Sequence, residues 1–201
     1  MKTIKKHGRK MVVAAGAMAA AFAGASGLPS HSTKVKCVGE QRWQVKTLQD
    51  ETASQINFTP KTIAMADILD KTKTSDWSLA KDDERQQDEF QVFKVTGKIP
   101  FVNIEADGDI HIELMDKTNS KLHLVAEIPN PDCEITKGSD YKDMFRKARN
   151  EFVNKYQDKS VWSKGTFEIT GVLFHDKSNH GTGGNANGVE IHPVINIKKI
   201  N

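Results

Sequence analysis

Apolar positions along the chain follow two periods, and the switch between them outlines the fold. From Glu89 a period of two dominates. Phe90, Val92, Lys94 and Thr96 alternate with Gln91, Phe93, Val95 and Gly97, and the run continues through Ile99, Phe101 and Ile104. This predicts one long strand, with Gly97 and Pro100 marking a bend or bulge. The segment Ala106-Asp107-Gly108-Asp109 is a tight Asp-Gly hairpin turn. Beyond it Ile110, Ile112 and Leu114 face one side, while Asp109, His111 and Glu113 face the other. Leu122, Leu124, Ala126 and Ile128 likewise oppose His123, Val125 and Glu127, until Pro129 and Pro131 stop the strand. Two further runs, Thr166 to His175 and Val189 to Ile200, complete five predicted strands.

Between the third and fourth strands the period becomes helical. Tyr141, Met144, Phe145, Ala148, Phe152, Val153 and Tyr156 recur at spacings of three and four, which predicts a helix over 139–159 with one apolar stripe. Ser139 can cap it, and Asp140 and Asp143 suit its positive end. Core packing is the simplest use of the stripe. The order strand, strand, strand, helix, strand, strand is that of the five-stranded OB barrel, a Greek-key fold plugged by a helix. An α+β sandwich could use the same elements, but a long kinked first strand favours the barrel, because that strand must curl to close it. The expected class is therefore mainly β with one helix, an OB-like barrel over 89–201.

The stretch before the barrel, 28–88, reads as an N-terminal extension packed on it. Arg42 to Leu48 alternates Trp43 and Val45 against polar neighbours and predicts a short strand. Residues 50–57 are turn-like, and Ile63 to Leu69 predicts a short helix. Lys71 to Asp88 is dominated by charge, with Trp77 and Leu79 as its large apolar residues, and reads as an exposed connection.

Composition changes this picture at one end. Lys2, Lys5, Lys6, Arg9 and Lys10 precede a short Ala-rich run and several small-x-small sites. That is the pattern of a signal peptide over 1–27, too short to be a membrane span. The expected mature protein is exported, periplasmic or extracellular, without a transmembrane segment after cleavage. The whole chain carries 29 Lys and Arg against 26 Asp and Glu; without the five basic residues of 1–27 the balance is 24 against 26. The basicity thus belongs to the signal, and global charge gives nucleic acid no support as a partner. Cys37 and Cys133 form an even pair, for which an oxidising compartment favours a disulfide. Two buried thiols are the alternative, and a metal site needs more than two ligands.

The chemistry concentrates in and beside GVLFHDKSNHGTGGNANGVEIHPVINI, residues 171–197, where two strands flank a loop rich in Gly, Asn and His. Asp109-Ile110-His111 and Glu190-Ile191-His192 each place a carboxylate and an imidazole two residues apart, on one face of a strand. With the apolar sets inward, Asp109, His111, His123, Glu127, Glu190 and His192 are expected on one outer face of strands 2, 3 and 5. Asp176, His180, Asn185 and Asn187 belong to the loop above it. The candidate ligand-binding residues are His111, His123, Glu127, Asp176, His180, Asn187, Glu190 and His192. Blander roles exist for each: a cross-strand His111–His123 pair, a loop brace by His192, turn geometry for Asn187. The Gly181 to Gly184 run lacks the Lys and helix of a phosphate loop.

What such a face lacks bears on the ligand. Single-stranded nucleic acid needs aromatic platforms and basic side chains, whereas strands two and three offer no Phe, Tyr or Trp and turn Asp109, Glu113 and Glu127 outward. A sugar, a basic protein segment or a divalent metal suits it better than a polyanion. No HExxH or CxxC spacing supports a metal, no G-x-S-x-G elbow supports a nucleophile, and no cofactor motif is present.

The ending FHDKSNHGTGGNANGVEIHPVINI resembles that of a family of exported bacterial proteins, mostly of unassigned function. In that family a Phe-Asp pair precedes an HG-G-N-x-x-E-x-HP signature. The matching positions are Phe174, Asp176, His180, Gly181, Gly183 or Gly184, Asn187, Glu190, His192 and Pro193. RWQVKTLQD at 42–50, GDIHIEL at 108–114 and AEIPNPDC at 126–133 extend the resemblance over nearly the whole mature chain. His175 stands where a second aromatic is expected. The resemblance implies no reaction. Three function classes follow: an OB-like binding module, a metal-dependent hydrolase (phosphodiesterase or nuclease) using His111, His180, Glu190 and His192, or a structural envelope component.

Overall fold

In the computed structural model, which describes Cys37 and residues 42–70, 84–176 and 188–201, five strands close on themselves. They are β2 (Gln91–Ile104), β3 (Ile110–Met115), β4 (His123–Ile128), β5 (Thr166–His175) and β6 (Val189–Lys199), preceded by a short β1 (Asn57–Thr62). The order is β1-β2-β3-β4-β6-β5, and a further β2–β5 pairing closes the barrel with β1 as an added edge strand. Neighbours run antiparallel except β1–β2 and β4–β6, which are parallel. This is the OB-like barrel that the periodicity predicts, with one strand more.

Closure depends on β2 serving two partners. Its first half, through Lys98, pairs with β5, and from Lys98 to Ile104 it pairs with β3, with an irregularity between Lys98 and Phe101. Gly97 sits at the changeover, where an added Cβ would lie 2.6 Å from the Met115 carbonyl oxygen. A side chain there would push β3 off the bend, so glycine is required by the close approach of two backbones.

Inside the barrel lie Ile110, Ile112, Leu114, Leu124, Ala126 and Ile128 with Val189 and Ile191, the apolar halves of alternating strands. The helix α3 (Lys142–Tyr156) closes one end by burying Phe152 and Tyr156, and the Tyr156 ring meets Phe167 edge-on at 5.1 Å. Phe145, on the same stripe, packs instead in a smaller cluster with Leu48, Ala53, Ile56, Val92 and Val172. The stripe is thus shared between the barrel and the N-terminal segment.

That segment departs from expectation. Arg42 to Leu48 is no strand: Trp43–Lys46 forms the single helical turn α1, flanked by Arg42 and Leu48 at positive φ. The strand of this region is β1, over NFTPKT, whose polar and Pro-containing sequence carries no strand signal. The expected helix appears as α2 (Met65–Asp70).

Residues 84–90 also differ from an exposed connection. Arg85 and Glu89 are buried, in two ion pairs that fasten the N-terminal segment. The Arg42 guanidinium grips Glu89 through both nitrogens, at 2.7 and 2.8 Å, and also donates to the His175 carbonyl at 2.8 Å. Arg85 pairs with Asp50 and donates to the Val45 carbonyl at 3.0 Å. Cys37 and Cys133 are joined in a disulfide, as the even pair predicts. Among the described residues no helix is long and apolar enough to cross a membrane. Residues 1–27, 177–187 and most of 71–88 lie outside the described residues, and with them the signal segment, His180, Asn185 and Asn187.

Candidate functional site

Strand register builds the site. His111 on β3 stands directly opposite Glu127 on β4. Ala126 pairs with Ile191 on β6, which brings Glu127 alongside His192 one residue further on. Three neighbouring strands therefore contribute a lateral row, His111–Glu127–His192, to the outer wall of the barrel. Two residues earlier on their strands, and so on the same face, come Asp109 and Glu190. From the end of β5, Asp176 joins the group; its N–H donates to the Gly188 carbonyl at 2.7 Å. Gly188 has φ of 69°, and a Cβ there would lie 2.4 Å from the Asp176 carbonyl oxygen, so glycine alone fits this approach.

Glu127 is the centre. Its Oε1 accepts from His111 Nδ1 at 2.9 Å, and its Oε2 lies 2.9 Å from His192 Nδ1. The His192 ring has Asp109 Oδ2 3.5 Å from Nε2 and Glu190 Oε2 3.9 Å from Nδ1. Glu105 stands 3.3 Å from His111 Nδ1, at the more open end of the row. Lys46 of α1 covers the other end, 4.0 Å from Glu127 and 3.7 Å from Asp176, with its ammonium also 5.2 Å above the Phe174 ring.

The expected face was a solvated one; the observed face is not. Glu127, Glu190, Asp176 and His192 are each at most 3 % exposed, and Lys46 of the N-terminal segment reaches over Glu127 and Asp176. Nor does His123 join the cluster. It sits at the far end of β4, in an ion pair with Glu113 and hydrogen-bonded to the Ser120 carbonyl at 2.9 Å, four residues and roughly 13 Å of strand from Glu127. The His111–His123 cross-strand alternative fails too, since each histidine pairs with a glutamate. Of the expected residues, then, His111, Glu127, Asp176, Glu190 and His192 converge. Lys46 and Glu105 are the members that sequence reasoning missed, because a lone charge in a polar stretch or before a turn reads as solvated.

Burial sets the electrostatics, and the ion partners oppose it. Desolvation alone would push Glu127 up, yet the hydrogen bond from His111 and the close charge of His192 hold it well below the usual carboxylate range. Burial raises Glu190, and the charge of Glu127 adds to the effect. Asp109 is lifted to about 7, chiefly by burial and against the pull of His192. For His111, burial disfavours the charged ring, but Glu105 and Glu127 overcome it and raise the pKa to about 10. His192 follows the same logic and reaches about 9. Lys46 is raised as well: burial opposes its charge, and the surrounding carboxylates prevail.

These shifts have one sign near neutrality. A group whose pKa is higher in the folded state stabilises the fold below its unfolded value and ceases to do so as pH rises through its folded value. His111 and His192 therefore make stability fall as pH rises from about 6.5 to between 9 and 10, and Asp109 adds to the loss up to about 7. Glu127 acts only at acid pH, below its usual range. In buffer free of divalent cations the melting temperature should decline across that window, and His111→Gln should flatten the profile. An unchanged slope in that variant would remove His111 from the account.

Several atoms of the cluster lack hydrogen-bond partners. Both ring nitrogens of His192, Oε2 of Glu127 and Oε2 of Glu190 are buried without one; the short His192–Glu127 contact is a charge contact without hydrogen-bond alignment. An unsatisfied buried acceptor costs about 1–3 kcal/mol, so a group supplying positive charge or donors here would gain affinity from satisfying them. Compared with protein-family models and with curated proteins, the chain matches none.

Proposed function

We propose that this protein is an exported OB-fold binding module that receives a cationic ligand at the His111–Glu127–His192 row. The observation carrying the reading is the pair of buried carboxylate oxygens, Glu127 Oε2 and Glu190 Oε2, that face His192 without a donor. Asp109, Asp176 and Glu105 add negative charge around them, and strands β3, β4 and β6 carry no Phe, Tyr or Trp on which bases could stack. A polyanion would meet repulsion there, while a metal ion or a basic segment would be attracted. The basic, Ala-rich N-terminal pattern and the disulfide support export, and the resemblance of 174–193 to exported bacterial proteins agrees with it.

The test is an amide chemical-shift titration at fixed salt with three probes: zinc chloride, an arginine-rich decapeptide and a single-stranded oligonucleotide. At least one cationic probe should shift amides of β4 and β6 around Glu127 and His192, and the oligonucleotide should leave them in place. Shifts from the oligonucleotide alone, or from no probe, would overturn the reading. A metal-dependent hydrolase would use the same donors; it requires hydrolysis of a phosphodiester probe that EDTA abolishes.

A further inference from the structure

We infer that Asp109, Glu127 and His192 hold one divalent transition-metal ion of the zinc class, an assignment that rests on the cationic-ligand reading and names its ligand. The three donors come from the residue just before β3, from β4 and from β6, and one ligand atom of each lies within 4.8 Å of the others, all buried. Tetrahedral zinc with bonds of about 2.1 Å places its ligand atoms roughly 3.4 Å apart. Glu127 Oε2 stands 2.9 Å from His192 Nδ1 and Asp109 Oδ2 stands 3.5 Å from His192 Nε2, so an ion would take one ring nitrogen and draw the carboxylate at the other edge of the ring toward it.

How each donor is held argues for the ion more strongly than proximity does. Asp109 commits Oδ1 to the Asn130 N–H at 2.8 Å and turns Oδ2 to His192. Glu127 commits Oε1 to His111 and turns Oε2 to His192. Each carboxylate therefore has one oxygen fixed by a protein donor and the other aimed at the same imidazole, which is how outer partners orient metal ligands. His192 completes the set: it is fully buried, and neither ring nitrogen makes a hydrogen bond. An imidazole among carboxylates selects zinc and its neighbours over calcium or magnesium. Charge agrees, since besides the imidazoles the four carboxylates Asp109, Glu127, Glu190 and Asp176 are faced by two cations, Lys46 and, on the Asp109 side, Arg149. Three protein donors leave a fourth position for water or a ligand group. The other group of suitable donors, Glu105, His111 and Glu127, is less apt, because His111 Nδ1 is already engaged by both carboxylates.

The experiment uses the purified mature protein, stripped with EDTA and dialysed, and titrated with Zn²⁺ against a chromophoric chelator while the melting temperature is followed. One saturable site per chain and a rise in melting temperature with zinc are expected. His192→Ala and Asp109→Asn should each weaken binding by more than the roughly 10- to 100-fold that loss of an outer partner costs. His123→Ala, remote from the site, should bind like the parent. Asp109→Asn is nearly isosteric and keeps the test decisive if His192→Ala fails to fold. No saturable site in the parent, undiminished binding in Asp109→Asn, or loss in His111→Ala with retention in His192→Ala would each overturn the assignment. If zinc fails while the basic peptide shifts β4 and β6 amides, the metal site falls and the cationic-ligand reading stands. If both are silent, both fall.

Discussion

Glu89→Ala is expected to destabilise the protein by about 3–5 kcal/mol, because it strands the Arg42 guanidinium in the interior without its counter-charge. The carboxylate is fully buried and takes four hydrogen bonds: two from Arg42, one from the His175 N–H and one from the Gln86 N–H. Its removal frees all four donors at once. The interaction also joins distant parts of the chain, since Arg42 belongs to the N-terminal segment and His175 to the end of β5. Urea unfolding of the variant checks this, and a change under about 1 kcal/mol would mean that water reaches the guanidinium. A double replacement, Arg42→Met with Glu89→Leu, should recover much of the loss, because it removes the desolvated charges together.

Loss of the disulfide should have an effect of similar size by another route. Cys37 and Cys133 are separated by 96 residues. Closing a loop that long restricts the unfolded chain by about 4–5 kcal/mol in the chain-entropy account. The Cys37→Ser/Cys133→Ser protein should therefore unfold at markedly lower urea than the oxidised parent. The reduced parent should follow the double variant. If reduction leaves the midpoint in place, the bridge does not constrain the unfolded chain as supposed.

The barrel was legible because alternation of apolar and polar residues is a direct image of a half-buried strand. β3 satisfies that rule residue by residue, α3 shows the corresponding helical period, and Gly97 marks the bend on chemistry alone, whereas β5 is buried at all but one position. Two elements of the N-terminal segment broke it. RWQVKTL alternates as a strand should, yet Arg42 and Asp50 are drawn into buried ion pairs whose partners lie some 35 to 47 residues away. Tertiary contacts of that range leave no local trace. Strand β1 was invisible for the opposite reason: five of its six residues are exposed, so nothing selects an apolar period. The site was legible in part. Asp109–His111 and Glu190–His192 announce themselves by spacing, and β pairing brings them together. Their burial was not readable, and neither was Lys46, which reaches the cluster from a part of the chain 81 residues before Glu127 (127 − 46). His123 showed the same local signature as His111 but occupies the wrong end of β4.

The late arrival of β6 has a consequence for how this chain reaches its fold. Glu127 and His192 are 65 residues apart in sequence (192 − 127), and the parallel β4–β6 pairing that unites them involves the final strand. An emerging chain can form the β3–β4 hairpin and its His111–Glu127 contact early, since those residues are local. Until β6 docks, the barrel has an unpaired edge at β4 and an acidic row still open to water. The last strand therefore acts as a latch that seals the edge and encloses the charges in one step. A chain that stalls before this point presents both an exposed β edge, open to pairing with other chains, and a Glu127 carboxylate without the second of its two imidazoles.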